Sequence, residues 1–91
     1  MKIEDIDFVK LCKMVDNKIP FYHDYTLKIK DIDKSPYTIR VCVFCEVNRR
    51  GYKINKEFPL VMYPDLNDYV FYKYVVDSIV NMSDELEEMT K

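Results

Sequence analysis

The sequence predicts an α+β fold of order α-β-β-β-α, with a three-stranded antiparallel meander packed against two helices. Three observations carry this. Residues 24–58 contain three runs that alternate apolar and polar side chains, the period of a half-buried strand. Only turn residues separate the runs, and parallel strands would need a much longer crossover. The segments on either side switch to helical spacing.

Residues 4–16, EDIDFVKLCKMVD, form the first predicted helix. Ile6, Val9 and Cys12, with Phe8, Leu11 and Val15, make a wide apolar stripe. Glu4, Asp5 and Asp7 sit at its start, where the helix dipole favours acids, and Pro20 lies beyond its end. Residues 24–32 form the first strand, with Tyr25, Leu27 and Ile29 on one side and Thr26, Lys28 and Lys30 on the other. Lys34-Ser35-Pro36 is a turn signal.

Residues 37–47 form the second strand. Tyr37, Ile39, Val41, Val43, Cys45 and Val47 line its inner face, opposite Thr38, Arg40, Cys42, Phe44 and Glu46. Asn48 opens a type I turn that Gly51 closes as a left-handed residue. Residues 52–58 form the third strand, and Pro59 restricts further pairing. Pro64-Asp65-Leu66-Asn67-Asp68 starts the last helix, capped by Asp65 or Asn67, and the helix runs to about residue 88. It has two apolar faces: Leu66, Tyr69, Val70, Val76, Ile79 and Val80 form one, and Phe71, Val75, Met82, Leu86 and Met89 the other. Two such faces require two packing partners, the sheet and either the first helix or another chain.

A chain of 91 residues, 48% hydrophobic and 33% charged, suits one globular domain spanning residues 1–91, with 83–91 as a frayed acidic tail. A single Gly argues against glycine-rich phosphate loops. No apolar run approaches the roughly 20 residues that cross a bilayer. The acids in MKIEDIDF are unlike a secretory leader, so the expected location is the cytoplasm. Three cysteines in a reducing compartment make a disulfide framework improbable.

Cys42 and Cys45 form a C-x-x-C, but positions three apart on a strand face opposite sides and cannot share a metal. His23 and Cys12 are the residue types of a base and a nucleophile, with no third partner or oxyanion loop to complete a site. His23 is expected on the surface of a connector. No cofactor, metal or catalytic residue is expected.

Charge is unevenly spread. Residues 26–56 carry a net +5 and residues 57–91 a net −6, within a total of −2. The basic set is Lys28, Lys30, Arg40 and Lys53 on one sheet face, with Arg49 and Arg50 at the hairpin tip. Such a set meets phosphates, and Phe44 offers a stacking surface. The element order resembles the double-stranded-RNA-binding domain. That family places lysines at the start of its last helix and a histidine in the loop between its first two strands. Here those positions hold Pro64-Asp65-Leu66-Asn67-Asp68 and Asp33-Lys34-Ser35-Pro36.

The acidic set is Asp77, Asp84, Glu85, Glu87 and Glu88, with Asp65 and Asp68. A row of carboxylates imitates a phosphate backbone toward a basic groove. Tyr63, Tyr69, Tyr72 and Tyr74 cluster at the start of the same helix and supply the apolar anchors of an interface. In size, element order and acidity the chain is similar to small phage-encoded inhibitors of CRISPR nucleases. The Lys-, Ile-, Asn-, Asp- and Tyr-rich composition suits an AT-rich genome.

The expectation is therefore a non-catalytic protein-binding module from a phage or mobile element. It inhibits or adapts a nucleic-acid-processing enzyme through Tyr69, Tyr72, Tyr74, Asp77, Asp84, Glu85, Glu87 and Glu88. The alternative is a nucleic-acid-binding domain using Lys28, Lys30, Arg40, Arg49, Arg50 and Lys53. A second copy of the chain is a further candidate partner, through the second apolar face of the last helix.

Overall fold

The structure is a computed structural model and describes residues 6–34, 39–62 and 68–91. Glu4, Asp5, Ser35, Pro36, Tyr37, Thr38, Tyr63, Pro64, Asp65, Leu66 and Asn67, all singled out above, lie outside them. The order is α1 (Phe8–Asp16), β1 (Asp24–Lys34), β2 (Ile39–Arg49), β3 (Tyr52–Met62) and α2 (Asp68–Met89). The strands form one antiparallel sheet with β2 at its centre, as expected.

Helix α1 starts later than its charge pattern suggests. Asp7 is the N-cap: its extended backbone opens the helix, and its carboxylate accepts from the Lys10 N–H at 3.0 Å. Leu11 and Val15 are fully buried, whereas Val9, expected on the apolar stripe, faces out. Ile6 before the helix and Ile19 after it complete the buried edge of this layer.

The strand faces match the alternation. Val41, Val43, Cys45 and Val47 on β2 are all fully buried, flanked by Tyr25, Leu27 and Ile29 on β1 and by Ile54, Phe58 and Leu60 on β3. Each fully buried aliphatic side chain contributes about 1.5–3 kcal/mol, and β2 supplies most of those in the sheet. Pro59 does not end β3. It pairs with Cys42, and the strand continues to Met62. β3 is an edge strand, where a residue without an N–H is tolerated.

The hairpin turn also differs from its sequence reading. Arg49 pairs directly with Tyr52, so only Arg50 and Gly51 connect the strands. Both have positive φ, 54° and 84°, the mark of a two-residue type I′ turn rather than type I. This turn matches the right-handed twist of the strands. Gly51 has no atom within 4 Å of where a Cβ would stand, so its backbone conformation alone makes glycine preferable there.

Helix α2 lies across β2 and β3, and α1 packs against α2. Phe71, Tyr72, Val75, Val76, Ile79, Met82, Ser83 and Leu86 are buried and follow helical spacing around one face. The two apolar faces read from the sequence are thus one broad stripe covered by the sheet and α1. Tyr69, Val70 and Met89, assigned to those faces, are exposed. From Ser83 the chain continues α2 to Met89, with Leu86 fully buried. No helix among the described residues is long and apolar enough to cross a membrane.

Candidate functional site

Three groups of polar and aromatic residues stand out, on different parts of the molecule. The first joins the α1–β1 connector, the β-hairpin and the end of α2. A backbone bond from the His23 N–H to the Pro20 carbonyl turns the connector inward. His23 is therefore only 4% exposed, which corrects its expected surface position.

His23 Nε2 lies 3.0 Å from Glu87 Oε2, and Nδ1 lies 2.6 Å from Ser83 Oγ. A carboxylate only accepts, so Nε2 donates to Glu87, and in the tautomer with its one ring proton there Nδ1 accepts the Ser83 hydroxyl. Tyr22 donates to Glu87 Oε1 at 3.1 Å. Arg49 donates to Glu87 Oε2 at 2.6 Å and to Thr90 Oγ1 at 3.1 Å, with its guanidinium 4.7 Å from the Tyr22 ring centre. Ser83, His23 and Glu87 are the residue types of a nucleophile–base–acid relay. Ser83 is 1% exposed, however, so its hydroxyl meets packing rather than substrate. The cluster ties three elements together.

Glu87 belongs to the acidic set and Arg49 to the basic set, and the fold pairs them. Arg49 also places a cation at the carbonyl end of α2, where the dipole favours one and the helix's own last turn has none. Burial pushes the Glu87 carboxyl up, but the Tyr22 hydrogen bond, the Arg49 charge and the His23 hydrogen bond outweigh it and hold it below the ordinary 4.5. A depressed folded value means that this contribution to stability is fully present above the unfolded value and is lost as pH falls through the folded one. Glu87→Gln is therefore expected to flatten the acid side of a plot of urea midpoint against pH, below about 4.5. A native and variant pair with parallel acid limbs would remove Glu87 from that role.

The second group is the outer face of α2. Val70, Tyr74, Asp77, Asn81, Asp84 and Glu88 follow one another along it, opposite the buried stripe. Its first half, with Tyr69, Val70, Lys73, Tyr74 and Asp77, lines a shallow depression of about 410 Å³. Tyr69 is 58% exposed and Tyr74 50%, with the Tyr74 ring edge-on to Phe58. Its second half is acidic: Asp84, Glu85 and Glu88 are exposed, and Glu88 pairs with Lys91 at 3.1 Å. Among the described residues, Asp77, Asp84 and Glu85 have no ion pair.

Two residues expected here are elsewhere. Tyr72 is 2% exposed, and its hydroxyl accepts the Asp7 N–H at 2.8 Å. It lies in the α1–α2 seam on the edge of the buried stripe, about 160° around the helix from Tyr74 and about 60° from Tyr69. Glu87 faces the first cluster. The Asp68 backbone begins α2.

The third group is the open face of the sheet. Lys28, Lys30, Arg40 and Lys53 are exposed on it as expected, and Arg50 is exposed at the hairpin tip. The face also carries acids: Lys53 pairs with Glu46 at 3.7 Å, and the Cys42 thiol donates to Glu57 at 2.9 Å. Cys42 and Cys45 lie on opposite faces, as their spacing requires. The Glu57 hydrogen bond and burial raise the Cys42 thiol, and burial pushes Cys45 up to about 11. Glu57→Gln is expected to speed alkylation of Cys42 at mildly alkaline pH and to leave Cys45 protected until unfolding. Mass-spectrometric mapping reads this directly, and an unchanged Cys42 rate would discount the thiol–carboxylate contact. Among the described residues no group of three or more His, Cys, Asp or Glu is arranged to hold a metal ion.

Comparison with known protein families, characterised proteins and solved structures returns no match to this chain.

Proposed function

We propose that the protein acts by binding, and that the outer face of α2 docks into a basic, nucleic-acid-binding groove of another protein. The mode would be inhibition or adaptation of a nucleic-acid-processing enzyme, without catalysis by this chain. The supporting observation is the placement of Asp84, Glu85 and Glu88 on the last turns of a 22-residue helix whose final turn has no basic residue. Acids at that end oppose the helix dipole and lower helix stability. Their negative charge adds to that of the helix terminus and projects from one face. Such a field steers encounters with a basic surface and rejects an acidic one. Tyr69, Val70 and Tyr74 continue the same face with the apolar area that an interface core requires.

The test is capture on the immobilised full chain from nuclease-treated lysate, followed by elution with excess DNA. The expected result is a nucleic-acid-binding protein retained at low salt and displaced by the DNA. A captured partner that DNA does not displace, or capture of the chain's own copies alone, would overturn the reading.

A further inference from the structure

On the open face of the sheet one row crosses all three strands: Lys28 on β1, Phe44 on β2 and Glu57 on β3. Lys30 and Cys42 stand in the neighbouring row, and these five residues line a shallow depression of about 200 Å³. Strands lie roughly 4.8 Å apart, so the backbones that carry Lys28 and Glu57 are about 10 Å apart, with Phe44 on the strand between them. We propose that this row is a binding site for single-stranded nucleic acid. A base stacks on Phe44, the adjoining phosphates meet Lys28 and Lys30, and Glu57 accepts a hydrogen bond from the amino group of the base.

The chemistry of each position supports this occupant. Every base has a π face, so an aromatic ring beside cations forms a general platform for an unpaired strand. A base held on Phe44 is removed from its stack, which excludes a duplex. Glu57 repels phosphate, which sets the orientation: the backbone lies over β1 and the base edge points to β3. A carboxylate only accepts. It therefore selects bases with an exocyclic amino group over thymine or uracil, which present a carbonyl at the equivalent position. Arg40 is exposed on the same face and extends the cationic line. Helix α2 covers the opposite face of the sheet, so its acids do not border this row.

Fluorescence anisotropy of labelled homopolymers of about 12 nucleotides, titrated with the full chain at about 50 mM salt, tests the proposal. Strands of dC or dA are expected to bind more tightly than dT. Phe44→Ala is expected to weaken binding about tenfold or more, the loss of one stacked base. Phe44→Leu keeps apolar cover on the sheet and should lose affinity comparably, which separates stacking from folding. Replacing Lys28 and Lys30 together with glutamine should reduce the salt slope by about 1.4. Glu57→Gln should abolish the preference for amino bases. Any of the following overturns the proposal: no binding at about 100 μM protein, native-like binding by Phe44→Leu, or competition by a duplex or a nucleoside monophosphate equal to that by the strand.

Discussion

Replacing Asp84, Glu85 and Glu88 together with lysine is expected to weaken capture of a basic partner by about 100-fold or more at low salt. The reversal turns an attractive field into a repulsive one, so the association rate falls first and the salt dependence inverts. The same change should leave the melting temperature unchanged or higher. Lysines at the carbonyl end of α2 complement the dipole that the native acids oppose. Loss of binding without loss of stability marks residues retained for an interaction. A variant that binds as the native chain does would show that these acids are only a solvated helix end. Arg50→Glu on the hairpin tip serves as a control and should leave this binding intact.

Tyr72→Ala is expected to cost about 3–5 kcal/mol of stability, the range for deleting a buried aromatic side chain. Tyr72 fills the α1–α2 seam, and its hydroxyl accepts the Asp7 N–H. Tyr72→Phe keeps the ring and loses one hydrogen bond, so it should cost about 0.5–1.5 kcal/mol. Tyr69→Ala, on the exposed face of the same helix, should cost far less. Urea midpoints rank the three variants. Equal costs for Tyr72→Ala and Tyr69→Ala would mean that α2 is rotated differently about its axis. The ranking also bears on the proposed interface, because it separates the tyrosine that builds the fold from those presented to a partner.

The sheet was legible because strand periodicity is local. Val41, Val43, Cys45 and Val47 face inward and Cys42 and Phe44 outward through alternation alone. The rejection of a metal at the C-x-x-C follows from the same geometry. The rotation of α2 was less legible. It is apolar on more than half its circumference, so Tyr69, Tyr72 and Tyr74 look alike by composition and only packing distinguishes them. The turn type is not legible locally, because the residues flanking Arg50 and Gly51 permit either hairpin and the pairing of Arg49 with Tyr52 decides it.

Element order, strand faces and the separation of a basic middle from an acidic end are therefore properties of the sequence itself, set by side-chain period and covalent order. Partnership across the chain is not. His23 meets Ser83 and Glu87, and Arg49 meets Glu87, over 38 to 64 positions of sequence. No local pattern encodes such contacts. They arise when the connector, the hairpin and the end of α2 converge, and burial then favours pairing the polar groups brought together there. Tertiary structure thus paired Arg49 with Glu87, withdrew Tyr72 into the core, and left Asp84, Glu85 and Glu88 on the outer face of α2 and Lys28, Phe44 and Glu57 on the open face of the sheet.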